Sequence, residues 1–252
     1  MSSGYTATTS TFHSKRQPIP LPPNPTLDIT TFISSRPHRT TTAFIDAITG
    51  RHLSYVDLWT AVDSLSHSLS SIYGIRKGHV VLILSPNSIY FPIVCLSVMS
   101  LGALITTANP LNTNSEIAKQ LADSGPKLVF VTRELVGKLT GCGVPVVLLE
   151  EGEGKGAGVV SSLGELLMKG GGGGSEVRRE KVRQNDAAAL LYSSGTTGVS
   201  KGVVSSHRNM IAMVQTIIQR FTRTAEGSGS LGTFICTVRK LYRDTWQHLE
   251  YL

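Results

Sequence analysis

Residues 191–202 read Leu-Tyr-Ser-Ser-Gly-Thr-Thr-Gly-Val-Ser-Lys-Gly, and their types suit one kind of chemistry, the holding of phosphate. Ser193, Ser194, Thr196 and Thr197 can each donate an O–H to a phosphate oxygen, and Lys201 adds a charge-assisted bond roughly twice as strong as a neutral one. Gly195, Gly198 and Gly202 permit left-handed backbone angles and let main-chain N–H groups face an anion with no Cβ in the way. Serine, threonine and glycine also populate ordinary turns. Here their ordered spacing ahead of a lysine, between two strand-like runs, favours the phosphate reading. The loop is not a Walker A motif, because Lys201 follows Ser200 and precedes Gly202.

The flanking text supplies the elements that must position this loop. Ala187–Tyr192 is a short apolar run that predicts a buried strand, and Gly202–Ser206 predicts a second. Ser206 then serves as N-cap of a helix carrying Met210, Ile211, Met213, Val214, Ile217 and Ile218. Further upstream, Thr42–Asp46 and Arg51–Ser54 flank Ala47–Gly50 as a hairpin, and Tyr55–Tyr73 has apolar residues at helical spacing. Val80–Leu84, Ala103–Thr107, Leu128–Val131 and Val144–Leu149 predict strands. Thr113 with Glu116 gives a capping-box pattern before a helix that stops at Gly125. Ser88–Leu101 is an apolar helix interrupted by Pro92, shorter than the roughly 20 residues a membrane span needs, so a core helix is expected. Strands alternating with helices imply an α/β fold with layered, largely parallel sheets.

Ser193 to Val203, followed by Ser-His-Arg-Asn at 206–209, resembles the ATP-binding signature of the acyl-adenylate-forming (AMP-dependent synthetase/ligase) superfamily. Pro22-Pro23-Asn24-Pro25, Ser85-Pro86-Asn87-Ser88 and the stretch from Gly102-Ala103 to Ala108-Asn109-Pro110 narrow the likeness to plant 4-coumarate:CoA ligases and their ligase-like relatives. The resemblance runs from about residue 20 to residue 238. One departure is Ser200, where those ligases usually have proline. The resemblance implies the N-terminal part of the adenylate-forming fold, with residues 26–238 a partial AMP-binding domain and the C-terminal domain absent. It implies ATP, Mg2+, CoA and a small carboxylic acid as participants, with an acyl-adenylate and then a thioester formed. It places Ser193, Ser194, Gly195, Thr196, Thr197, Gly198 and Lys201 around the β- and γ-phosphates. The aromatic-Gly-x-Thr-Glu segment, the ribose aspartate and the C-terminal lysine of the superfamily do not occur, so no catalytic residue is assigned and the chain alone is expected to be inactive. The alternative is a non-catalytic fragment that binds nucleotide weakly, pairs with a full-length ligase, or self-associates through an exposed sheet edge.

Composition narrows the remaining classes. The 252 residues carry a net charge of +7, but the basic residues are scattered or offset by Glu176 and Glu180, and there is no aromatic platform or zinc spacing, so no nucleic-acid partner and no metal site are expected. Residues 176–184 are expected to form a solvated linker helix. Cys95, Cys142 and Cys236 are an odd number without a CxxC pair, which fits free thiols in a reducing compartment. Residues 1–25 predict a flexible arm with no apolar signal core. The glycine-rich stretches within 151–175 predict surface loops around a helical patch at Leu163–Met168. Residues 239–252 form a divergent tail. Its Glu250-Tyr251-Leu252 end is not a peroxisomal tripeptide, so the chain as written is expected in the cytoplasm, full-length relatives being compatible with the peroxisome. His207 is expected to be a polar helix-start residue rather than an acid or base.

Overall fold

Val80–Leu84 is a run of five apolar residues, and such a strand is stable only when both its faces are covered. In the computed structural model, which describes residues 4–12, 18–38, 41–156, 158–171, 180–194 and 200–224, this strand lies inside a seven-stranded sheet. The strands in chain order are β1 (Tyr5–Thr6), β2 (Thr11–Phe12), β3 (Thr42–Ile45), β4 (His52–Ser54), β5 (Val80–Leu84), β6 (Leu104–Ala108), β7 (Leu128–Val131), β8 (Val146–Leu148), β9 (Val159–Ser162), β10 (Ala187–Ser194) and β11 (Ser200–Ser206). The helices are α1 (Ile29–Ser34), α2 (Tyr55–Ser71), α3 (Phe91–Ser100), α4 (Asn114–Ser124), α5 (Leu163–Gly171) and α6 (His207–Thr224).

The large sheet has the order β11-β10-β6-β5-β7-β8-β9. All its pairings are parallel except β10–β11, which is antiparallel. β1–β2 and β3–β4 are separate antiparallel pairs. The fold is therefore α/β with a mostly parallel sheet, as its alternating pattern predicts.

Side chains two apart share a face of a strand, which divides the core into two layers. Val81, Ile83, Phe130 and Val147 join residues of α1, α2, α3, α5 and α6 on one face. Leu82, Leu84, Val129, Val131 and Leu148 meet Ile117 of α4 and Leu139 on the other. The capping box of α4 is present, with Thr113 accepting from the Glu116 N–H and Glu116 accepting from the Thr113 N–H, and Gly125 ends the helix at φ 54°.

Four elements differ from the sequence expectation. Pro92 does not interrupt α3; it lies in the first turn, where the missing N–H costs nothing. Val159–Ser162 is a strand within the glycine-rich stretch, pairing with β8. Ser162 and Glu165 then cap α5 reciprocally, Glu165 N–H to Ser162 Oγ at 3.2 Å and Ser162 N–H to Glu165 Oε2 at 3.3 Å. α5 continues through Gly170 and Gly171 rather than dissolving into a loop there, because α2 passes close by. A Cβ on Gly170 would lie 1.9 Å from the Ser64 carbonyl oxygen. Residues 180–183 are not helical: Val182 is buried, and Gln184 donates to the carbonyls of Pro22 at 2.8 Å and Asn24 at 2.5 Å. Residues 172–179 and 225–252 lie outside the described residues, which leaves Cys236 and the tail there.

Candidate functional site

β10 runs parallel to β6, so its carboxyl end lies on the same edge of the sheet as the ends of β5, β6 and β7. That edge is where open α/β sheets receive ligands. The antiparallel hairpin β10–β11 stands there and holds the predicted phosphate loop at its tip.

Ser193 and Lys201 are register partners across the hairpin, and Ser194 partners Ser200. Paired residues share a face, so the Ser193 and Lys201 side chains project to the same side. Lys201 is exposed and Ser193 half-buried. Ser200 Oγ donates to the Ser193 carbonyl at 3.3 Å. Gly195, Thr196, Thr197 and Gly198 fall outside the described residues, as does the side chain of Ser194. The strand-to-strand setting of the loop is thus present, and two of its ends, Ser193 and Lys201, are brought together.

Gly202 plays a different part from the one its spacing suggests. It sits within β11 opposite Tyr192 and has no left-handed φ. A Cβ there would lie 2.9 Å from Leu190 Cδ1 and 3.4 Å from Tyr192 Cζ, so its bare backbone makes room for two neighbouring side chains. Tyr192 is 8% exposed, and its hydroxyl donates to Asp123 Oδ2 of α4. Burial first, and the neighbouring Asp123 carboxylate next, push the Tyr192 phenol up to about 12.

The base of the hairpin is tied down by its return into α6. Ser206 Oγ accepts from the Asn209 N–H at 3.2 Å while Asn209 Oδ1 accepts from the Ser206 N–H at 3.0 Å, a reciprocal cap with asparagine in the usual glutamate position. His207 starts the helix as expected, yet it is wholly buried, with Nδ1 accepting from the Ile29 N–H at 3.2 Å. Burial holds its imidazole below the ordinary range, helped by Lys77 and opposed by Asp28 and Asp186. A neutral, buried histidine linking α6 to α1 is a structural joint. Arg208 N–H donates to the Gln184 carbonyl at 2.7 Å, and Lys77 meets Asp186 at 2.6 Å.

Nothing in the local spacing pointed to Tyr192 with Asp123 or to His207 with Ile29, since each pair joins distant parts of the chain. Cys95 is buried in α3 as expected, and burial pushes its thiol up. No helix of the described residues is long and apolar enough to cross a membrane.

Comparison with known proteins places this geometry in context. A family model described as AMP-binding enzyme matches residues 33–238. The chain is 58% identical over 238 residues to peroxisomal OPC-8:0-CoA ligase 1 of Arabidopsis thaliana, covering 94% of this chain and 42% of that protein. It is 53% identical over 242 residues to 4-coumarate--CoA ligase-like 3 of Arabidopsis thaliana, with the same coverage of 94% and 42%. The chain thus spans about two fifths of the length of these relatives. Among solved structures, the luciferase-like enzyme from the mealworm Zophobas morio superposes with a TM-score of 0.66 at 22% identity, over 79% of this chain and 47% of that one. The anthranilate CoA ligase AuaEII in complex with anthranoyl-AMP gives 0.65 at 19% identity, over 78% and 37%. At such identities these two speak for the fold.

Proposed function

The chain belongs to the AMP-binding enzyme family, and from that premise we propose that it carries the phosphate-holding part of an ATP-dependent carboxylic acid:CoA ligase. The observation that carries the reading is the hairpin that pairs Ser193 with Lys201 at the carboxyl end of the parallel strands, on either side of the hydroxyl- and glycine-rich segment.

In the proposed reaction the substrate carboxylate oxygen attacks the α-phosphorus of ATP and the bond to pyrophosphate breaks. The CoA thiol then attacks the acyl carbon, AMP leaves with the carboxylate oxygen, and the thiol proton is released. Charge gathers on the departing pyrophosphate, and positioned O–H, N–H and ammonium donors stabilise it. Ser193, Ser194, Thr196 and Thr197 supply hydroxyls, Gly195 and Gly198 supply backbone amides, and Lys201 supplies the charge. Mg2+ suits this set when it arrives on the phosphates, because it keeps most of its waters and leans on phosphate oxygens. Among the described residues no cluster of three or more His, Cys, Asp or Glu could hold a metal ion.

Relatives named for OPC-8:0 and as 4-coumarate ligase-like support an acid with an apolar body as substrate class. The 252-residue chain carries the phosphate donors and is expected to bind MgATP. The peroxisomal placement in the name of OPC-8:0-CoA ligase 1 supports the peroxisome as the compartment of this protein. A second reading, association with another chain through β11, draws on the exposure of Val203 at 53% and Val204 at 60%.

The test is MgATP binding and acid-dependent pyrophosphate release by the purified chain and by Lys201→Ala. Binding weakened about tenfold or more by the substitution, as for loss of a charge-assisted bond, with no release, is the expected result. Equal binding by both proteins would remove Lys201 from the site, and acid-dependent release would overturn the expected inactivity.

A further inference from the structure

We propose that Tyr192 and Asp123 form a positioning pair that braces the β10–β11 hairpin against α4, so that α4 sets where Ser193 and Lys201 stand. The proposal rests on the reading that the turn between Ser193 and Lys201 holds phosphate.

Three observations meet at this point. Tyr192 is the residue immediately before Ser193, and it is buried although it stands close to the tip of an edge hairpin. Its ring lies over Gly202, the partner strand's residue next to Lys201, where a Cβ would come within 3.4 Å of Cζ. Its hydroxyl donates to Asp123 Oδ2, one residue before the end of α4.

The brace acts beyond the point where β10 is in register with β6. β10 is in register with β6 at Ala189–Ile105, three residues before Tyr192. Past that pair, the Tyr192 side chain adds a tie from β10 to α4. α4 is itself fixed to β6 by Gln120 Nε2, which donates to Thr106 Oγ1 at 3.3 Å and to the Thr107 carbonyl at 3.0 Å. The route from the sheet to the loop is β6, Gln120, α4, Asp123, Tyr192, Ser193. A bond from a hydroxyl to an ionised carboxylate is among the stronger hydrogen bonds, which gives this route stiffness. Tyr192 touches no phosphate in this account; it acts by holding Ser193 and Lys201 in register.

The experiment uses the full chain with Tyr192→Phe, Asp123→Ala, Asp123→Asn and the Tyr192→Phe/Asp123→Ala double variant. Phenylalanine keeps the ring over Gly202, so folding is retained, and asparagine keeps an oxygen acceptor for the hydroxyl. Amide exchange in the nucleotide-free chain is expected to rise at Ser193, Ser200 and Lys201 in Tyr192→Phe, with β5 and β7 unchanged. MgATP affinity is expected to fall roughly five- to tenfold in Tyr192→Phe and Asp123→Ala, to recover in Asp123→Asn, and to be no worse in the double variant than in either single one. Unchanged exchange at the hairpin in Tyr192→Phe, or additive losses in the double variant, would overturn the brace. If the wild-type chain binds no MgATP, the phosphate reading fails on its own, and the exchange result still decides the brace.

Discussion

Gly170→Ala tests whether the α2–α5 contact is as tight as the structure has it. The added Cβ would lie 1.9 Å from the Ser64 carbonyl oxygen and 2.6 Å from its carbon, both backbone atoms that cannot rotate away. A carbon and a carbonyl oxygen that are not bonded to each other rest roughly 3.3 Å apart, so the two helices would have to part by about 1.4 Å. That movement would take Ser68 Oγ, which donates to the Leu166 carbonyl at 2.6 Å, out of bonding range. Overpacking of this kind costs about 1–3 kcal/mol, and leaving a buried polar group unpaired costs about 1–3 kcal/mol. We expect a net loss of about 3 kcal/mol, or a fall in Tm of roughly 6–12 °C for a chain of this length. Gly171→Ala is the internal control, because its Cβ would meet only Ser64 Oγ at an ordinary 3.8 Å. Relief of glycine's helix penalty should leave that variant neutral or more stable by up to about 1 kcal/mol. Urea unfolding followed by circular dichroism reads both. Equal midpoints for the two variants would refute the close approach.

Thr113→Ala removes the N-cap of α4 and should cost about 1 kcal/mol, seen as a lower urea midpoint with unchanged slope. His207 has a folded-state affinity for protons below its unfolded one, so the unfolded chain takes up the proton first. Its stabilising contribution is therefore complete above the unfolded value of about 6.5 and is lost as pH falls from there through the lower folded value. Urea midpoints between pH 8 and pH 5 should fall more steeply for the wild type than for His207→Gln. Cys142 is half-buried, whereas Cys95 is buried with a thiol pushed up, so maleimide labelling of the native chain read by mass spectrometry should modify Cys142 before Cys95.

The parts legible in the sequence were those governed by local spacing. Val80–Leu84 and Leu128–Val131 are continuous apolar runs, and both are strands over those same residues. The Thr113/Glu116 box and the Gly125 stop are three-dimensional facts written within twelve consecutive residues plus a cap. Glycine was the main source of error, because composition does not separate a glycine that supplies freedom from one that supplies space. Gly154 would place a Cβ 2.1 Å from the Ser161 backbone, and Gly170 and Gly202 are likewise packed against neighbours. A stretch that reads as slack linker thus contains β9 and a contact of α5 with α2 that leaves no room for a side chain at Gly170. In the candidate site, the hairpin setting of Ser193 and Lys201 followed from two flanking apolar runs. The partner of Tyr192 did not, because Asp123 lies 69 residues away and no periodicity links them.

The clasp between Gln184 and the carbonyls of Pro22 and Asn24 joins residues up to 162 positions apart, and the Ile29–His207 bond spans 178. Ribosomes add roughly 5–20 residues each second, so the first of these partners waits roughly 8–32 s for the second to be made. β5, β6 and β7 are complete by Val131 and can pair in the meantime, which leaves the amino-terminal prolines among the last pieces to settle. A nascent chain halted before residue 184 should therefore expose residues 18–25 to protease, and one halted far enough beyond residue 207 to clear the exit tunnel should protect them.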